Sequence, residues 1–248
     1  MKKSLYTALS LILLLLIWQV AVTLLQVPDY ILPGPGQVGQ TLLANDASFY
    51  QHVWTTCLEA IIGLTIACLT AFITALVMDR FQPINHLLYP LLVVSQTIPT
   101  MVLAPLLSLW FGFEMTPKII LVVLSSYFPI VIGFVDRMKQ VSSDQVSFLA
   151  TLGATNWHIY RLLKIPYGMV GFFSGLKIAS SYCVGGAIIG EWISAESGLG
   201  YYMIRAQNSF ATDRVFASIV WVIILSLTFN TVARCLEYLY YQLLKGSH

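Results

Sequence analysis

The stretch "ATLGATNWHIYRLLKIP", Ala150 to Pro166, interrupts a chain built mostly from long runs of Leu, Ile and Val. It gathers His158, Arg161 and Lys164 around a tryptophan, although only 10% of the 248 residues are charged. Soluble domains carry about 25% charged residues. The hydrophobic fraction of 58% and mean hydropathy of +0.79 point the same way. A helix crosses a bilayer with roughly 20 apolar residues, so the flanking runs read as membrane spans. The polar stretch is then a loop between spans, and the side it occupies fixes the topology.

Working outward, six spans follow, at about Leu5–Gln26, Trp54–Met78, Ile84–Phe111, Pro117–Val135, Gly168–Ile189 and Val215–Tyr240. The whole of residues 1–248 reads as one transmembrane domain, an all-α integral membrane protein. The first run is too long for the apolar core of a signal peptide, and no A-x-A site follows it. Six spans put both termini on one side, and the side richer in Lys and Arg is cytoplasmic. With the termini inside, Lys2, Lys3, Arg80, Arg137, Lys139, Arg161, Lys164, Lys177, Arg234 and Lys245 fall at the inner side. Lys118, Arg205 and Arg214 remain outside, ten cations against three of the 13. The loop between the first two spans has neither Lys nor Arg. The opening stretch is cytoplasmic on this reading.

That stretch belongs to the one substantial internal loop, residues 136–166. Ser142 and Gln145 have the spacing of a capping box, in which each side chain satisfies the other residue's backbone N–H. A helix over Ser143–Leu152 follows, and Gly153 suits its left-handed end. Thr155 can cap a second helix over Asn156–Lys164, and Pro166 can open the next span without losing a needed donor. Phe148, Leu149 and Leu152 share one face and form an apolar knob in water. Such a knob suits a protein partner, or an amphipathic helix resting on lipid.

The spans hold few polar candidates. Glu59 lies within the second, and Glu191 stands at the outer end of the fifth. An ionisable group at membrane depth is expensive unless it faces a cavity or a partner. Pro90, Pro99 and Pro105 crowd the third span, as around a pathway or in a bent packing helix. "GFFSG" (Gly171–Gly175) carries small residues at the spacing that lets helices approach closely, in this chain or a second copy. Tyr182 is one of several tyrosines and tryptophans that could line a path. Cys57, Cys68, Cys183 and Cys235 show no CxxC spacing, and His52, His86, His158 and His248 are dispersed, so no metal or cofactor site is expected. Neither a nucleophile–base arrangement nor a paired carboxylate suggests catalysis, and the small net charge of +2 argues against nucleic acid.

Gly153, followed by Leu163-Lys164-Ile165-Pro166, resembles the cytoplasmic loop signature of ABC importer permeases, which runs Glu-Ala-Ala, three residues, Gly, nine residues, Ile-x-Leu-Pro. Ser147, Phe148 and Leu149 replace the name-giving triplet, and Ile165 replaces Leu. "ILPGPGQV" (31–38), "TIPTMVLAPLLSLWFGF" (97–113) and "GEWISAESGLGYYMIRAQNSFATDRVFASI" (190–219) are similar to segments of the nitrate, sulfonate, taurine, pyrimidine and thiamine-precursor branch, in the same order. The resemblance implies a type I importer permease in a bacterial inner or plasma membrane: two permease copies, cytosolic ATPases and an external binding protein. It implies that Phe148, Leu149, Thr151, Leu152, Gly153, Ala154, Trp157 and Pro166 form the ATPase-coupling loop. No GxxxxGK[ST] phosphate loop is present, so hydrolysis would occur on the partner. Glu59, Pro99, Tyr182 and Glu191 are the candidates for the translocation path. An ion-coupled secondary transporter is the alternative, but it would be expected to show more intramembrane carboxylates and inverted repeats.

Overall fold

The computed structural model describes residues 2–44 and 47–245. Asn45, between the first two expected spans, and the terminal Gly246, Ser247 and His248 lie outside the described residues. Every regular element among the described residues is helical. In chain order they are α1 (Lys2–Leu24), α2 (Pro35–Ala44), α3 (Ala47–Arg80), α4 (Gln82–Thr97), α5 (Thr100–Phe111) and α6 (Met115–Lys139). Then follow α7 (Ser143–Thr151), α8 (Asn156–Ile159), α9 (Ile165–Ser194), α10 (Leu199–Asn208) and α11 (Thr212–Lys245).

Four described segments are long and apolar enough to cross a bilayer: α3, α6, the continuous run Asn156–Ile193, and α11. In α1 the apolar stretch is the shorter Leu9–Leu24. The expected third span is not one helix. α4 and α5 meet at an angle of 99°, and they make a fifth span only if taken together. Of the three prolines, Pro90 and Pro105 sit inside helices while Pro99 stands at the break. Ile98 and Pro99 are both extended, as the residue before a proline prefers.

The centre of the bundle is made by α3, α6 and α9. Ala67, Ala71 and Ala75 present a fully buried strip of small side chains on α3. The glycines of "GFFSG" face α6 of this same chain. A Cβ at Gly171 would run into the Gly133 carbonyl, and one at Gly175 into the Pro129 carbonyl. The two backbones therefore touch, and dispersion along this seam replaces the water-driven burial that lipid cannot supply. Phe72 stacks on Phe134 at 5.1 Å, and Phe172 meets Phe134 edge-on at 5.8 Å, filling the inner half. Lys177 pairs with Glu237 of α11 at 2.9 Å rather than reaching for the membrane surface.

The loop between α6 and α9 follows its local signals. Ser142 and Gln145 form the reciprocal capping box, and Thr155 Oγ1 accepts the His158 N–H. Gly153 ends α7 at φ +84°. One expectation fails: the second short helix does not stop before Pro166. α8 continues through a π-turn, Tyr160–Lys164, straight into α9. Proline has no N–H for the carbonyl four residues back, and its ring clashes with that carbonyl. Widening one turn, so that the Ile165 N–H reaches the Tyr160 carbonyl, relieves the clash without breaking the rod.

Candidate functional site

The break between α4 and α5 opens a cavity of about 460 Å³ whose lining includes Ser95, Gln96, Pro99, Thr100, Ser125 and Tyr182. Non-helical backbone at membrane depth survives only when its polar groups are satisfied. The sequence supplies those partners locally. Ser95 Oγ donates to the Leu92 carbonyl and Thr97 Oγ1 to the Val94 carbonyl, each at 2.7 Å. The Val102 N–H returns to the Pro99 carbonyl at 2.9 Å. Two of the four expected path residues, Pro99 and Tyr182, thus meet at one cavity. Its lining mixes hydroxyl and amide groups with aliphatic walls and includes no carboxylate or cation.

Glu59 and Glu191 lie apart from that cavity, together in a sealed polar cluster. Both are 1% exposed. Lys118 of α6 stands 4.0 Å from Glu59 and donates to the Phe113 carbonyl at 3.2 Å. Glu191 accepts Thr56 Oγ1–H and the Gly200 N–H, each at 2.6 Å. The Leu199 N–H donates to Thr56 Oγ1 at 2.8 Å, and the Gly198 N–H to His52 Nδ1 at 3.1 Å. The first turn of α10 therefore delivers its N–H groups to side chains of α3 and α9. A carboxylate there also meets the positive end of the helix dipole. Gly198, at φ +117°, leaves no room for a Cβ against the Glu191 carboxylate. Sequence reasoning missed Thr56, His52 and Lys118 as partners. The signal was present in "GEWISAESGLG", a carboxylate followed by two glycines at the start of a helix.

At the other end, α7 buries none of its residues. Phe148, Leu152 and Trp157 are 64%, 68% and 65% exposed, whereas Leu149, Ala154 and Pro166 are half-buried. Thr151 Oγ1 bonds the Phe148 carbonyl at 2.7 Å, and the Ala154 N–H bonds the Leu149 carbonyl at 3.0 Å. The loop is anchored behind this face by Asp79. Its Oδ2 accepts Tyr160 O–H at 2.6 Å and Lys164 Nζ at 2.7 Å. A carboxylate at the C-terminal end of a helix is disfavoured by the dipole. "DR" at the close of the second span was therefore a hint that Asp79 had a cationic partner. Lys139 of α6 similarly reaches Asn85 of α4 at 3.0 Å.

Residues 63–245 match the family model described as "Binding-protein-dependent transport system inner membrane component". The chain is 36% identical over 214 residues to a Haemophilus influenzae protein named "Probable ABC transporter permease protein", covering 86% of this chain and 87% of that one. It is 34% identical over 218 residues to the formylaminopyrimidine transport permease protein ThiX of Halalkalibacterium halodurans, covering 88% and 87%. Over 235 residues it is 26% identical to the taurine transport system permease protein TauC of Escherichia coli, covering 92% and 86%. Among solved structures, an inward-facing MetNI methionine ABC transporter chain superposes with a TM-score of 0.60 at 14% identity, over 76% of this chain and 95% of that one. That likeness concerns the fold.

Proposed function

Because this chain belongs to the family of binding-protein-dependent inner membrane components, and so is a multi-pass permease subunit of an ABC importer, we propose that two copies pair to form the pathway and that the α4–α5 break lines it. The α4–α5 segment carries uncovered apolar surface beside its cavity, with Val94, Met101, Val102, Leu109 and Trp110 all more than half exposed. A second copy packed there would enclose the cavity at Pro99 and Tyr182. The observation that carries this reading is the interrupted helix itself. A break with satisfied backbone groups and a polar-lined hollow at membrane depth suits a solute site, which usually occupies 300–1,000 Å³.

On the cytoplasmic side, the knob of Phe148 and Leu152, with Leu149, Thr151, Gly153, Ala154 and Trp157, docks into a cleft of the ATPase, and Pro166 leads the loop back into the membrane. Both termini share that side. An external binding protein delivers the solute to the opposite face, where Glu191 serves the path by holding α10 in place and Glu59 stands behind it beside Lys118.

The solute is small and organic. The cavity lining holds no cation to balance a sulfonate or nitrate, and Tyr182 offers an aromatic face. These features favour an uncharged, planar, hydrogen-bonding molecule of the kind named for the formylaminopyrimidine permease over the taurine-type anion. Uptake into vesicles carrying permease, ATPase and binding protein tests this. An aminopyrimidine should be taken up in preference to taurine, and Tyr182→Ala should raise its KM about tenfold, the loss of one stacked ring. Preferential uptake of taurine, or an unchanged KM, contradicts the assignment. Orientation is tested separately: a cysteine at Tyr30 should react with an impermeant thiol reagent from outside, and one at Ser143 should not.

A further inference from the structure

Of the three cations on the proposed outer side, Lys118 is occupied by Glu59 and the Phe113 carbonyl. The other two, Arg205 and Arg214, line one cavity of about 240 Å³ together with Ser48, His52, Tyr202 and Ser209. They come from different elements, Arg205 from the last turn of α10 and Arg214 from the first turn of α11. Neither guanidinium has an ion-pair partner among the described residues. Arg205 rests on the Tyr201 ring, 5.6 Å from its centroid, and reaches only that residue's hydroxyl, at 3.5 Å. The nearby carboxylates are engaged elsewhere: Asp213 accepts Thr41 Oγ1–H at 2.7 Å, and Glu191 is turned into its cluster with Thr56 and Gly200. His52 accepts the Gly198 N–H on Nδ1 at 3.1 Å.

We infer that this cavity is an oxyanion-binding site, taking a carboxylate, sulfate or phosphate group between Arg205 and Arg214. Guanidinium forks match such groups with paired N–H donors. The first turns of α3 and α11, which supply Ser48 and Arg214, add the positive ends of two long helices. Two guanidinium groups lining one cavity repel, and an anion between them removes that cost. The site is distinct from the solute cavity at Pro99, which shares none of its residues. Its placement on the outer face rests on the orientation proposed above, but its binding chemistry does not. The anion could be a free solute or an acidic side chain presented by the docked binding protein.

Equilibrium dialysis of the purified full chain in detergent, with radiolabelled sulfate at constant ionic strength, tests the site without any transport step. The expected result is one saturable site per chain, weakened about tenfold or more in Arg205→Gln and in Arg214→Gln, the loss of a charge-assisted bond. Arg205→Lys, which keeps the charge and loses the fork, should fall between and guards against a misfolded Gln variant. Absence of saturable binding in the wild type, or equal binding by all four proteins, overturns the site. Association of the binding protein with the permease–ATPase complex then identifies the source. If sulfate competes and the Gln variants associate less tightly, a side-chain carboxylate is the occupant. If association is indifferent to both, the occupant is a free anion. A failed uptake assay for the aminopyrimidine would leave the sulfate result standing, so the two readings fail separately.

Discussion

α10, with ten residues, and α7, with nine, are alike in length and lie at opposite water-facing ends of the molecule, yet they are held by different means. The first turn of α10 is bonded to Glu191, Thr56 and His52, and Leu199 behind it is completely buried. α7 satisfies its own N-terminus with Ser142 and Gln145 and buries nothing. One helix is part of the permease fold. The other is shaped by its own sequence and keeps its apolar face for something else. The contrast separates residues that hold the fold together from residues that the fold leaves uncovered.

The largest effect should come from Glu191→Ala. It leaves the Gly200 N–H and the Thr56 hydroxyl without a buried acceptor, at a cost of about 3 kcal/mol or more. Folded protein recovered in detergent should fall sharply, with a lowered Tm. Glu191→Gln, which keeps one acceptor, should be intermediate. A wild-type melting profile for the alanine variant would erase the distinction between the two helices. Next in size is Gly153→Val. The position is at φ +84° with open space around it, so the strain of about 1–2 kcal/mol stays local. The bundle should melt as before, while solute-stimulated ATP hydrolysis falls about tenfold. Hydrolysis at the wild-type rate would remove the loop from coupling.

Smaller effects sharpen the comparison. Phe148→Ser and Leu152→Ser each delete an exposed apolar side chain whose burial on docking is worth about 1.5–3 kcal/mol. Each should weaken ATPase co-purification about tenfold and leave the Tm of the isolated permease unchanged. A drop in Tm would show that the knob packs within the chain. Ser142→Ala should cost about 1 kcal/mol, the loss of a cap, and weaken ATPase association by about fivefold. No loss of association would mean that α7 is ordered by its partner rather than by its own ends.

The loop was legible because its information is local. A capping box spans four residues, a left-handed glycine one, and both can be read without knowing the neighbours. Hydropathy located four of the six expected spans as single long apolar helices for the same reason. The cluster around Glu191 was not legible in that way, since Thr56 lies 135 residues away and nothing in either segment names the other. "GFFSG" announced a close helix contact but could not say that Gly133 of the same chain was the partner. The prolines were ambiguous for a related reason. Pro90, Pro105 and Pro129 stay within helices while Pro99 ends one. The outcome depends on whether neighbouring side chains such as Ser95 and Thr97 can satisfy the freed carbonyls.

Asp79 gives the end of the molecule that carries α7 a mechanical property. Its carboxylate grips both Tyr160 and Lys164 on the turn that joins the loop to α9, while its own backbone belongs to the last turn of α3. The loop is thus a handle fastened to two shafts. A force on the loop that reaches α9 through this turn is shared with α3, unless a short, largely shielded ion pair is broken first.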